Sequence, residues 1–191
     1  MDDRSRRSRS LARAFAAGMI LFAAGVAGAG DPPPFAAREG LELASAAAQA
    51  WSGDAQLVYV ENDEALDDGG RSPRWGYLFH SASLDRARVW SVRAGRLVAA
   101  DDLAMRFDAP PVAAGWLDSG AAVAAAESGG GAEYRKAHGG RLINMLLVRG
   151  ALSEGEPDAT TWTFVYGATG APSLFVVVDA TTGKVQRTWR G

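Results

Sequence analysis

The chain has 191 residues, 48% of them hydrophobic, enough for one ordinary domain or two small ones with a real core. A formal charge of -2 and a pI near 5.7 exclude a nucleic-acid binder that works through a basic face, because such a face has to meet phosphates. There is no cysteine, so the core must hold the fold without disulfides.

Residues 1–29 read as an export signal. Arg4, Arg6, Arg7, Arg9 and Arg13 precede the apolar run 14–26, and the small residues Ala27 and Ala29 fit a peptidase site, with cleavage expected after Ala29. The run is shorter than the ~20 residues of a spanning helix. Arg6-Arg7 raises the twin-arginine route, but Ser8-Arg9-Ser10-Leu11 fits that pattern poorly, and no cysteine follows for lipid attachment. Removal of the signal leaves 15 basic and 20 acidic residues, a charge near -5. The expected location is the periplasm or outside the cell, with no membrane attachment after cleavage.

Residues 30–34 form a proline-rich leader, too stiff for a helix or a sheet interior. In 35–51, Ala37, Leu41, Ala44, Ala48 and Trp51 recur at spacings of three and four, which predicts a helix with a small-residue stripe. Strands are expected at 55–61, at 74–81 and over 88–99 folded about Arg93-Ala94-Gly95, with a polar loop over 61–70. Residues 109–116 read as a connector. A second helix is expected from Asp118 or Ser119 to about Glu127, stopped by Gly129-Gly130-Gly131, then a short helix over 132–138. Three more strands follow at 141–149, at 160–168 and over 174–190, the last bent at Gly183 into the closing β-hairpin of the sheet.

The order helix, strand, strand, strand thus occurs twice. Trp75, Tyr77 and Phe79 alternate along one strand, and Trp162, Phe164 and Tyr166 repeat that row 87 positions later. The chain reads as a duplication of 35–108 in 117–191. The expected fold class is α+β, two α-β-β-β repeats, each a helix packed on an antiparallel sheet. Each half is close to the size at which a single core is marginal, so the two are expected to share a sheet or an interface. Rows of three large rings on one strand face read as sheet-to-helix core.

The segment Phe175-Val176-Val177-Val178-Asp179-Ala180-Thr181-Thr182-Gly183-Lys184-Val185, preceded by Thr161-Trp162-Thr163-Phe164-Val165-Tyr166 and an alanine-rich helix, resembles the PepSY domain. Residues 117–189 carry the resemblance. In the first half Arg93-Ala94-Gly95 replaces the longer turn, so that half reads as a degenerate copy. The resemblance implies a PepSY/cystatin-like helix-on-sheet fold, an exported location, and a role in restraining peptidases or in sensing outside the cytoplasm. It brings no catalytic residues.

The residue chemistry points away from catalysis. With His80, His138 and no thiol, no metal-ligand spacing occurs, and no cofactor or metal is expected. His80 should lie on the strand face opposite Trp75, and His138 should cap a helix. Ser119 lacks a nucleophile context and reads as a helix cap. The pairs Asp67-Asp68 and Asp101-Asp102 read as solvated charge. The acidic loop 61–68 lacks the ligand alternation of a calcium site. Asp179 and Gly183 read as turn formers. A buried, strongly perturbed carboxylate in a cleft would be the mark of an enzyme.

The expected function is therefore a non-enzymatic exported module that binds a protein or peptide of the cell envelope, a peptidase among the candidates. Its surface would comprise Trp116, Lys184, Arg187 and Trp189, where a terminal strand can accept a partner strand. For Trp189, packing onto the helix is the plainer expectation. The alternative is a carrier of an apolar small molecule, with a cavity between helices and sheet.

Overall fold

Two turns decide the architecture. Between Arg93 and Arg96, Ala94 has φ 51° and Gly95 φ 67°, the left-handed pair that reverses a chain in two residues with the natural twist of its strands. At the second, the Asp179 carboxylate accepts from the N–H groups of Thr181 and Thr182 at 3.0 and 2.7 Å. Gly183 follows at φ 74°. Each turn reverses the chain fully and closes a β-hairpin, at the two places where the sequence folds a strand back.

The computed structural model describes residues 32–103, 110–150 and 158–191. The expected export signal lies outside them, as do positions 30 and 31 of the leader, 104–108 of the first half, 109 of the connector and 151–157 of the second half. The elements are α1 (Leu41–Trp51), β1 (Gln56–Asn62), β2 (Arg74–Ser81), β3 (Arg86–Arg93), β4 (Arg96–Asp102), α2 (Ser119–Ala126), α3 (Ala132–His138), β5 (Arg141–Arg149), β6 (Thr160–Ala168), β7 (Ala171–Asp179) and β8 (Val185–Arg190). Residues Glu127–Gly131 link α2 to α3 through a kink at Gly130, whose φ is 119°. None of the described helices is long and apolar enough to cross a membrane.

All eight strands join one antiparallel sheet in the order β4-β3-β2-β1-β5-β6-β7-β8. The expected fold of two α-β-β-β repeats, each a helix packed on an antiparallel sheet, is thereby corrected to one eight-stranded sheet. Each half supplies four strands, and the halves meet edge to edge at β1 and β5. The physical reason is the pairing of β1 with β5, which joins the two four-stranded halves into one continuous ladder.

The helices share one face of this sheet and one core with it. The rows Trp75, Tyr77, Phe79 and Trp162, Phe164, Tyr166 are buried there among Ala44 and Ala48 of α1, Ala122, Val123 and Ala126 of α2, and Tyr134 of α3. The two rows meet directly, Trp75 lying edge-on to Trp162 at 6.4 Å between centroids. Three of their polar tips are satisfied by backbone carbonyls: Trp75 Nε1 donates to Phe35 O and Trp162 Nε1 to Leu117 O, both at 2.8 Å, and Tyr77 Oη to Ala37 O at 2.7 Å, while Tyr166 Oη donates to Glu127 Oε1 at 2.8 Å. The capping group of α2 also ties the halves together. Asp118 Oδ1 accepts from Ser119 N and from Arg38 N, and Ser119 Oγ accepts from Ala37 N at 3.1 Å.

The seam is short. Tyr59, Val60 and Glu61 pair with Val148, Leu147 and Leu146, and then β5 bulges between Leu142 and Asn144. There the Asn62 side chain replaces the ladder. Its Oδ1 accepts from Met145 N at 2.8 Å, and its Nδ2 donates to Glu64 O and Ile143 O at 3.0 and 3.4 Å. An Asn62→Ala variant leaves the buried Met145 N–H without a partner, which should cost about 2 kcal/mol. Urea unfolding should show a lower midpoint with an unchanged slope; an unchanged midpoint would remove Asn62 from the seam.

Candidate functional site

The four residues expected to form a binding surface do not lie together. Trp116 is 3% exposed, edge-on to Trp162 at 5.7 Å and covered by the Arg38 guanidinium at 4.7 Å. It belongs to the core, where Arg38 closes over it and donates from Nη1 to its carbonyl at 2.6 Å. Lys184 sits exposed in the β7–β8 turn, and Arg187 and Trp189 lie on β8.

β8 is one end of the sheet. Alternation sends Arg187 and Trp189 to the face away from the helices, where the Trp189 ring stacks on Phe175 at 4.9 Å and 7° and Arg187 lies over it at 4.8 Å. The expectation that Trp189 packs onto a helix is corrected by this register. On the helix side, Arg190 lies over the Tyr134 ring at 5.4 Å, with Nη1 3.0 Å from His138 Nε2. Phe175 and Arg190 are thus members of this edge that were not singled out in the sequence. Period-two alternation about the register pair Phe175 and Trp189 is the signal that identifies them.

The face away from the helices holds a second group. Tyr59 Oη donates to Glu61 Oε2 at 2.8 Å. Asp63 folds across Gly76, where an added Cβ would meet Asp63 Oδ1 at 2.7 Å. Asp63 accepts from Ser91 Oγ at 2.6 Å and pairs with Arg74 at 3.1 Å, while Arg93 pairs with Glu64 at 3.0 Å. Burial pushes the Glu61 carboxyl up to about 7; the Tyr59 hydrogen bond opposes this and the Asp63 charge adds to it. Burial also raises Asp63, against the pull of Ser91 and Arg74. The loop expected over 61–70 is therefore part strand and part ion-pair cluster.

A carboxyl that titrates near neutrality can exchange a proton, but Glu61 lines neither of the two grooves described below, and its partner is a phenol that is itself raised by burial. The other carboxylate candidates are occupied or solvated. Asp67 Oδ1 caps its own turn through Gly69 N and Arg71 N, Asp68 pairs with Arg135, and Asp102 pairs with Arg86 and Arg88. His80 lies on the face opposite Trp75, in register with Gln56 and Ala87. Among the described residues no group of three or more acids and histidines is placed to hold a metal ion. Asp179 is pulled up by burial but held below the ordinary range by the Thr182 and Thr181 donors, as a turn former should be.

The grooves lie beside α1. One of about 350 Å³ is lined by Glu39, Gly40, Glu42, Leu43, Ala46, Val92 and Gly95, and a smaller one of about 230 Å³ reaches Pro33 and Phe35. Next to the other edge strand the corresponding space is filled, since Gly129 lies against Val185 and Val176 and its carbonyl accepts from Thr188 Oγ1.

No family model matches the chain, and no curated protein matches it. Among solved structures it is similar to a candidate lipoprotein from Clostridium difficile 630, with 12% identity and a TM-score of 0.46 over 75% of this chain and 87% of that one. A similarity of that size carries no argument about function.

The raised Glu61 makes a pH prediction. A carboxyl whose pKa is higher folded than unfolded contributes stability that is complete below about 4.5 and lost as pH rises through about 7. From the usual 1.36 kcal/mol per unit, the loss across that window is on the order of 3 kcal/mol. Unfolding free energies measured at pH 5 and pH 8 should converge in Glu61→Gln; an equal pH dependence in variant and wild type would rule out a raised Glu61.

Proposed function

We propose that this chain is a binding module of the cell envelope that takes an extended, acidic polypeptide strand onto the edge of β8. The observation that carries the reading is the edge itself. β8 ends the sheet, with Lys184 exposed in the turn before it, Arg187 and Arg190 exposed on its two faces, and no acid in the strand. A strand at a sheet edge offers its free backbone groups to a partner strand, and a cation on each face favours acidic side chains on that partner. The Phe175 and Trp189 stack supplies a rigid aromatic floor on one face.

The envelope location rests on the arginine-rich, then apolar, pattern of residues 1–29. The PepSY resemblance of 117–189 supports regulation of a peptidase as the use of such an edge. Carriage of an apolar ligand finds less support, because the two aromatic rows pack ring against ring where its cavity would lie.

A fluorescein-labelled ten-residue peptide alternating Val and Glu should bind the mature chain with a Kd of roughly 1 to 50 µM, weakening with salt, while the Val and Lys counterpart should not. The Arg187→Glu, Arg190→Glu double variant should weaken binding at least about tenfold. Equal binding of the two peptides, or no effect of the double variant, would sink the reading. Inhibition assays against the host's secreted peptidases then test the regulatory part.

A further inference from the structure

The opposite edge of the sheet has a different character. β4 runs from Arg96 to Asp102 with six of its seven residues exposed. Leu97 and Val98 stand 39% and 50% exposed there, and Leu43 of the adjacent α1 36%. Natural edges are usually blunted by charge or by a bulge. β4 has a bulge at Val98, since Ser91 pairs with Ala99 and Val92 with Leu97. Its middle residues, Leu97–Ala100 by number 97–100, carry no charge at all.

The charges at its two ends are informative. Asp102 is neutralised by Arg86 and Arg88. Arg96 and Asp101 are exposed and have no ion-pair partner among the described residues. Arg96 stands directly opposite Arg93 in register, an unfavourable like-charge juxtaposition. Both lie on the helix-free face: Arg96 pairs with Arg93 and Asp101 with Val89, residues that alternate with the core residues Trp90 and Val92.

We infer that β4 pairs with β4 of a second copy of this chain, antiparallel about a two-fold axis between Val98 and Ala99. That register is self-complementary. It sets Arg96 of each copy opposite Asp101 of the other on the helix-free face, and Leu97 opposite Ala100 on the helix side, where Leu97 pairs with Val92 and Ala100 with Trp90. Each free charge gains an opposite neighbour, Arg96 gains relief from Arg93, and the uncharged middle of β4 is covered. The result is one sixteen-stranded sheet with β8 still open at both ends. This interface stands apart from the β8 reading, and either can hold without the other.

Sedimentation equilibrium of the mature chain should show a monomer–dimer equilibrium at concentrations up to about 100 µM. Arg96→Asp alone and Asp101→Arg alone each set like charges across the axis and should weaken the dimer at least about tenfold. The double exchange Arg96→Asp, Asp101→Arg restores opposite charges only in this register and should restore the dimer. Arg187→Glu, Arg190→Glu should leave it unchanged. Circular dichroism and thermal unfolding of each variant establish that it is folded. A monomeric wild type, single variants that dimerise like wild type, or a double exchange that stays monomeric would each overturn the inference.

Discussion

Three residue pairs and one side-chain amide hold the two halves of this sheet together. Across the seam of β1 and β5 the ladder runs only from Tyr59 to Glu61, and Asn62 completes it by taking the N–H of Met145. Neither half has enough apolar surface of its own to be comfortable as a domain. The seam removes that difficulty by making one core of two, with Trp75 against Trp162 at its centre. Asp118 and Ser119 reinforce the union from the helix side, since the residues that cap α2 also hold the backbone of Ala37 and Arg38.

Much of this was legible in the sequence where one signal dominates. The strands Arg74–Ser81, Arg141–Arg149 and Thr160–Ala168 match their expected bounds, because alternating large rings or aliphatics leave no competing period. The short helix Ala132–His138 was delimited by glycines on both sides. What escaped was anything that depended on three-dimensional partners. The edge-to-edge pairing of β1 with β5 joins segments some eighty residues apart and has no local signal. Glu61 to Glu64 looked too polar for a sheet, yet Tyr59, Ser91, Arg74 and Arg93 arrive from elsewhere to pair with them. Trp116 looked like a surface anchor because nothing local shows that Arg38 and Trp162 enclose it.

The two faces and two edges of the sheet divide the chemistry. The helix side is filled by rings and alanines between helices and sheet, with the described grooves confined to the flank of α1. The helix-free side carries a proton-exchanging carboxyl beside paired charges, a polar arrangement whose energetic weight falls on stability. The edges differ in what borders them. The kinked segment around Gly130 packs against β8, whereas α1 leaves a groove beside β4. One edge is thus cationic and braced, and the other is nearly bare.

The order of strands also fixes a timetable. β1 is the first strand of the sheet to be synthesised, but its second neighbour, β5, lies some eighty residues further along the chain. Until β5 is available, β1 is an unpaired edge facing the rest of the cell, and the Trp75 row has only half of its eventual cover. Closing that gap requires the connector to bring the chain from the far side of β4 back to the middle of the sheet, a contact of long sequence separation and hence a slow one. A chain of this topology spends its most vulnerable interval half made, with an apolar row and a strand edge open to wrong partners until the seam closes.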